Sequence, residues 1–349
     1  AVAIHFAILP STAYLVNDTD TYIDAIHFAV TGEAAEDFRY LTRLLTTPLF
    51  LFSTYVLGTL VNDLYMGMLL TNTLLFVVSI PIFYQLAYAL RPVDKYATVA
   101  TILYATSYGA YTFGTSYNAD MGGWFFMLLA TMYALWYLKY DRRKYFYFAV
   151  AAATVGVFFK EYGALGLVSL NILILLSRFP WQRKIVEVCR SSAIFLSVLL
   201  TYYLFFYLMY EYSYLHWWFY NDTYWDGNEI QSVATLIKSV GWVFFAGWPL
   251  FLFSAWYELR RFLANGYRLT RWQHKMAALV PASIAFLAWP GFLIRVSFLC
   301  VPWLCLFTAS GLAAVRSNVV LAGVLFLYFW VNQYTHLLID IINISFWGR

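Results

Sequence analysis

Long apolar runs separated by short polar turns set the pattern of this chain. At about 20 apolar residues per membrane crossing, about eleven segments read as transmembrane helices: 1–16, 65–90, 96–113, 121–138, 145–159, 162–177, 190–210, 240–257, 276–293, 296–314 and 319–337. A further apolar stretch, 48–60, reads as a re-entrant or interfacial helix. The runs are continuous rather than alternating, which excludes the lipid-out, lumen-in strands of a membrane β-barrel. The first residues, from Ala1, have no basic flank and do not read as a signal peptide. The pattern predicts an all-α polytopic membrane protein, one transmembrane domain over residues 1–349.

Two connections are long, 17–47 and 211–239. In the first, Glu33, Glu36 and Asp37 precede Arg39 and Arg43, an order that complements a helix dipole. Phe38, Leu41, Leu44 and Leu45 recur at helical spacing. Segment 33–46 is therefore predicted to be an amphipathic helix lying on the outer membrane surface.

Composition agrees with the pattern and removes other classes. Hydrophobic residues make up 62% of the 349 and charged residues 11%, where a soluble domain carries about 25% charged. Mean hydropathy is +0.66. An ordinary soluble enzyme could not bury that much apolar surface. The net charge of +4 is small and its basic residues are scattered, so nucleic acid is not an expected partner. Cys189, Cys300 and Cys305 sit in or beside apolar runs without a CxxC pair, which argues against a disulfide framework or a zinc site.

The charges also predict an orientation. With the N-terminus cytoplasmic, 16 of the 22 lysines and arginines fall in cytoplasmic connections, the bias that sets topology. Acidic residues run the other way: only Asp94, Asp141, Glu187 and Glu258 of the 18 lie on that side. The extracytoplasmic face, here of the plasma membrane, is thus the expected place of any chemistry.

The densest cluster is Asn17-Asp18-Thr19-Asp20-Thr21-Tyr22, just beyond the first span. Asp18 and Asp20 could share a divalent cation such as Mg or Mn, or one could serve as a base tuned by the other. They could equally form the polar cap of a membrane helix, and Asp24 and Asp63 read as loop residues. At the next outer turn, Asn118-Ala119-Asp120 offers either a helix cap or a polar pocket. Lys160-Glu161 interrupts the apolar stretch from Ala149 to Leu176; charges at such depth line a cavity or pair with each other, unless a short turn takes both to water. Arg295 follows the turn signal Trp289-Pro290-Gly291, suited to bidentate phosphate binding or to snorkelling. Trp217 and Trp218, in an aromatic loop with Asp222 and Asp226, could stack on a sugar or anchor the loop in the headgroup zone.

The order of these short motifs resembles the GT-C superfamily of lipid-dependent membrane glycosyltransferases. Asn17-Asp18-Thr19-Asp20-Thr21-Tyr22 is similar to the acidic motif of oligosaccharyltransferase catalytic subunits and to the acidic pair of mannosyl- and aminoarabinosyltransferases. Segment 33–46 stands where that family has an amphipathic outer helix, and Asn118-Ala119-Asp120 where it has a second acidic turn. Gly156-Val157-Phe158-Phe159-Lys160-Glu161-Tyr162-Gly163 looks like its lysine-containing turn, and Arg295-Val296-Ser297-Phe298-Leu299-Cys300-Val301-Pro302 like the start of its late span.

The resemblance implies a GT-C-like fold and an inverting hexosyl or pentosyl transferase. Its donor would be a polyprenyl-phosphate-linked sugar. Asp20 would be the base or a metal ligand, with Asp18 and Asp120 assisting. Lys160 and Arg295 would bind the donor phosphate, and Glu161, Tyr22, Asn118, Trp217 and Trp218 would contact substrate. No cofactor is implied beyond an optional divalent cation. The alternative class is a non-catalytic membrane subunit that uses the same apolar surface for lipids and partner helices of a larger complex.

Overall fold

The computed structural model of the protein describes residues 19–35, 38–216, 241, 243–284 and 298–343. All regular structure among them is helical. The order is α1 (Thr19–Thr31), α2 (Arg39–Thr46), α3 (Pro48–Val61), α4 (Leu64–Leu90), α5 (Asp94–Ala105), α6 (Tyr108–Gly114) and α7 (Asp120–Tyr140). It continues with α8 (Arg143–Phe159), a 3-10 turn at Glu161–Gly163, α9 (Ala164–Leu175) and α10 (Trp181–Tyr210). Then follow α11 (Trp248–Ala264), α12 (Arg271–Ile284), α13 (Val301–Leu312) and α14 (Asn318–Asn343).

The expected count of about eleven spans is corrected. Among the described residues three helices, α4, α7 and α10, are long and apolar enough to cross a membrane, and a fourth span results if α2 and α3 count together. Those two meet at 97° across Thr47. The cause is that apolar runs are cut into short helices. The run 96–113 becomes α5 and α6, separated at Ser107, whose hydroxyl accepts the Ala110 N–H to start α6. The division between 145–159 and 162–177 falls at Lys160, whose extended backbone ends α8, and the second of these segments forms in α9 a helix of only 12 residues. At 1.5 Å per residue such a helix reaches about 18 Å, short of a hydrocarbon core of about 30 Å. Segment 1–16 and residues 285–297 lie outside the described residues. The chain is a helical membrane protein, and its described residues hold fewer full-length spans than hydropathy predicts.

The helix expected over 33–46 is shorter than predicted. Gly32, at φ +77°, ends α1, and α2 begins only at Arg39. Phe38 is exposed, whereas Tyr40, Thr42 and Leu45 are buried. Two hydrogen bonds dock this helix on α10 and the turn after it: Tyr202 donates to the Leu44 carbonyl (2.6 Å), and Thr42 pairs with the Tyr212 hydroxyl (2.7 Å).

Helix α7 forms the centre. In its most apolar stretch 72% of residues are buried, against 17% in α10, which lies at the margin. It packs on α4, α8 and α9. The connections fall at two ends of the bundle. One end is basic and tied together by long side chains: Lys95 donates to the Val315 carbonyl (2.6 Å), Lys275 to that of Ala89 (3.2 Å), and Arg183 pairs with Asp141. Its two buried acids are neutralised one turn away, Glu187 by Arg190 and Glu258 by Arg261. At the other end lie the start of α1, the Asn62–Asp63 turn, residues 115–119 and the Lys160 break.

The α3–α4 hairpin depends on backbone contact. Asn62 takes a left-handed conformation (φ 56°), and Asp63 caps α4 by accepting from the Tyr65 and Met66 amides (2.9 and 3.1 Å). A Cβ on Gly67 would stand 2.4 Å from the Thr54 carbonyl oxygen and 2.6 Å from the Gly58 nitrogen. Gly67→Ala is therefore expected to destabilise the protein by about 1–3 kcal/mol, as overpacking does. Thermal unfolding in detergent, read against wild type, checks this.

Candidate functional site

The first turn of α1 divides its side chains between two faces. Thr19, Thr21, Tyr22 and Ile26 are buried, while Asp20 is exposed on the opposite side. Asp20 Oδ1 accepts a hydrogen bond from the Tyr65 hydroxyl at 3.0 Å. The Tyr65 ring meets Tyr117 edge-on, with centroids 6.1 Å apart. Asp20 thus belongs to a group with Asp63, Tyr65 and Tyr117. Burial raises the Tyr117 phenol above its usual range, and the Asp63 charge adds to that.

Tyr22 faces the interior. Its ring packs edge-on against Phe50 (5.4 Å) and lies beneath the Arg43 guanidinium (4.8 Å). Arg43 Nε donates to the Thr21 hydroxyl at 3.0 Å, so α2 is fastened across the start of α1.

The turn at 115–119 is held from below by α4. Asn72 Nδ2 donates to the carbonyls of Ser116 (2.7 Å) and Asn118 (2.6 Å), and Thr73 donates to that of Gly114 (3.1 Å). Thr19 reaches the Tyr117 carbonyl from α1 at 3.5 Å. Asn118 is buried, and its side-chain oxygen has no hydrogen-bond partner among the described residues. Asp120 is only 1% exposed. It is the first residue of α7 rather than its cap, which is Ala119 with no side-chain capping bond. A carboxylate there faces the positive end of the helix dipole.

Lys160 meets this turn from α8. Gly123 permits the approach, since a Cβ at that position would stand 2.7 Å from Lys160 Cβ. The Lys160 residue is 7% exposed, and its ammonium is 3.6 Å from Glu161 Oε2. Desolvation, the largest single influence, favours the neutral amine. The negative field of Glu161, followed by Tyr22 and Asp120, outweighs it and holds the ammonium above its usual range. Glu161 also acts on Tyr214, whose phenol is raised chiefly by burial and then by that carboxylate.

Asp20, Tyr22, Asn118, Asp120, Lys160 and Glu161 therefore all lie at one end of the bundle. They form two neighbouring groups: Asp20 with Tyr65, and Lys160 with Glu161, Asp120 and Tyr22. Asp18, Arg295, Trp217 and Trp218 lie outside the described residues. Among the described residues no three His, Cys, Asp or Glu side chains are grouped to hold a metal ion. Asp20 has a phenol as its partner, so the described residues do not build a cation site around it. The sequence reading missed Asn72, Tyr65 and Arg43. An amide inside an apolar span is itself a signal, being costly unless bonded, whereas Arg43 had been assigned only to the helix dipole.

No protein-family model matches the chain, and comparison with curated proteins finds no match.

Gly123→Ala is expected to push α7 away from Lys160 and cost about 1–3 kcal/mol. Gly323→Ala, with nothing within 4 Å of the added carbon, should change stability little. Asn72→Leu strands two carbonyls in the interior and is expected to cost about 1–3 kcal/mol. Thermal unfolding of the three variants in one detergent checks these values.

Proposed function

We propose that the protein is an inverting membrane glycosyltransferase. It moves a hexosyl or pentosyl group from a polyprenyl-phosphate carrier to an acceptor hydroxyl at the extracytoplasmic face of the plasma membrane. The observation that carries this reading is the convergence of charge at one end of an apolar bundle. Three segments distant in sequence bring Asp20, Asp120 and the Lys160–Glu161 pair there. The basic bias of the other end supports an orientation with that end in the cytoplasm.

In this reading the acceptor oxygen attacks the anomeric carbon while the bond from that carbon to the phosphate oxygen breaks. The acceptor proton passes to Asp20, which is exposed and positioned by the Tyr65 hydroxyl. The bonding pair leaves with the phosphate, and Lys160 stabilises the charge that builds there. A phosphate held by cations needs no separate general acid. Asp120 orients the acceptor from the start of α7.

A second reading rests on a different observation. Leu200, Leu204 and Leu208 form an exposed stripe along α10, a surface for lipid or for a partner helix. A scaffolding subunit of a membrane complex would use that stripe and need no catalytic base.

Reconstituted protein supplied with polyprenyl-phosphate sugars separates the two. Transfer is expected, and Asp20→Asn should lower its rate about 10²–10⁴-fold. Full activity in that variant would remove Asp20 from the role of base. A stable complex with other membrane subunits that carries no polyprenyl phosphate in native mass spectrometry would favour the scaffold.

A further inference from the structure

Two helices at the basic end start with the wrong charge for their dipoles. The first turn of α8 holds Arg143 and Lys144, and that of α10 holds Arg183 and Lys184; neither turn has an acid or a side-chain cap. Cations are unfavourable at the positive end of a helix, where anions are stabilised. Helices α5 and α12 begin at the same end and show the usual solutions. Asp94 lies in the first turn of α5. Before α12 the Thr270 hydroxyl accepts from the Gln273 amide (3.3 Å), and the Gln273 side chain accepts from the Thr270 amide (2.8 Å).

Arg183 fastens the two uncapped starts together. Its guanidinium donates to both Asp141 oxygens, Nη1 to Oδ2 at 3.0 Å and Nη2 to Oδ1, and Nη2 also reaches the Tyr137 hydroxyl at 3.1 Å. It lies 3.8 Å over the Phe179 ring, which packs on Tyr137 with centroids 5.7 Å apart. Segments 139–144 and 178–184 are therefore neighbours. Together they hold seven basic residues against one acid, Asp141, and Arg183 takes that acid.

The remaining charge is open. Arg142, Arg143 and Arg178 are exposed and make no hydrogen bond or ion pair among the described residues. By contrast Lys95, Arg190 and Arg261, at this same end, are committed to structural contacts. Exposed aromatic residues border the open arginines: Tyr140, Tyr147 and Trp181. Tyrosine and tryptophan favour the headgroup zone of a bilayer, which sets the level of this surface in the membrane.

We infer that segments 139–144 and 178–184 form a binding surface for the headgroup of an anionic phospholipid, in the leaflet at the basic end. The lipid phosphate supplies the negative charge that both helix starts lack, and Arg142, Arg143 and Arg178 donate to its oxygens. The headgroup is a net anion rather than a zwitterion, because the one carboxylate here is bound to Arg183 and leaves no counter-charge for a choline. The inference stands apart from the proposed transfer reaction, whose residues lie at the other end of the bundle.

The test is lipid retention by the full chain from mixed micelles of phosphatidylglycerol and phosphatidylcholine in equal amounts, read by native mass spectrometry. Wild type is expected to keep phosphatidylglycerol in preference. Replacing two arginines together, Arg142→Gln with Arg143→Gln, should lower that preference about tenfold or more, as loss of hydrogen bonds to a charged group does. Arg142→Lys with Arg143→Lys should keep part of it, because the charge remains and the fork is gone. The control, Arg268→Gln with Arg316→Gln, removes equal charge from exposed arginines elsewhere at the same end and should leave the preference unchanged. An equal loss in the control means diffuse attraction to a basic face and overturns the site. Equal retention of the two lipids by wild type overturns it as well. If the double glutamine variant does not fold, Arg178→Gln decides alone: a lowered preference upholds the surface, and an unchanged one refutes it.

Discussion

A lysine ammonium enclosed by apolar helices costs several kcal/mol unless opposite charge and hydrogen-bonding groups surround it. That requirement governs one whole end of this molecule. Lys160 terminates α8 in extended backbone, and the 3-10 turn after it brings Glu161 alongside. Gly123 lets the first turn of α7 approach until Asp120 acts on the same ammonium. The break that accommodates Lys160 also leaves α9, at 12 residues, too short to span a bilayer, so the charged site and that shortened helix have one cause.

The same logic separates the two ends of the bundle. At the basic end the buried acids Glu187 and Glu258 each have an arginine one turn away, and long side chains close the loops onto backbone carbonyls. Those charges are locally satisfied and fasten structure. At the opposite end charge is shared among α1, α2, the 115–119 turn and the Lys160 break, and the buried oxygens Glu161 Oε2 and Asn118 Oδ1 find no hydrogen-bond partner among the described residues. Unspent capacity in the interior is what a ligand can use, which is why the functional reading is placed there.

Several single residues show how far a linear reading reaches. Asp63 read as a loop acid and is a helix cap; the Asx pattern before Tyr65 and Met66 is local and was available in the sequence. Asp120 offered a cap or a pocket residue, and the cap position falls instead on Ala119. Hydropathy counted about eleven spans because it sums apolarity over a window. It does not register that Ser107 starts a new helix inside an apolar run, or that the run after Lys160 yields a helix of only 12 residues. Asn72 went unread because its role, holding two carbonyls 44 and 46 residues away, exists only in three dimensions.

By itself the sequence determined that the chain is helical and belongs in a membrane, since 62% hydrophobic residues in long unalternating runs admit few other solutions. It also marked the few places where charge interrupts that apolarity. Tertiary structure alone decided which of those charges share an environment. Asp20 turns outward to Tyr65 while Tyr22, two residues on, turns inward to Arg43 and the field of Lys160. The physical reason is that the energy of a charge depends on its distance to other charges and to water. Those distances are set by how helices from different parts of the chain cross, and no local pattern encodes them.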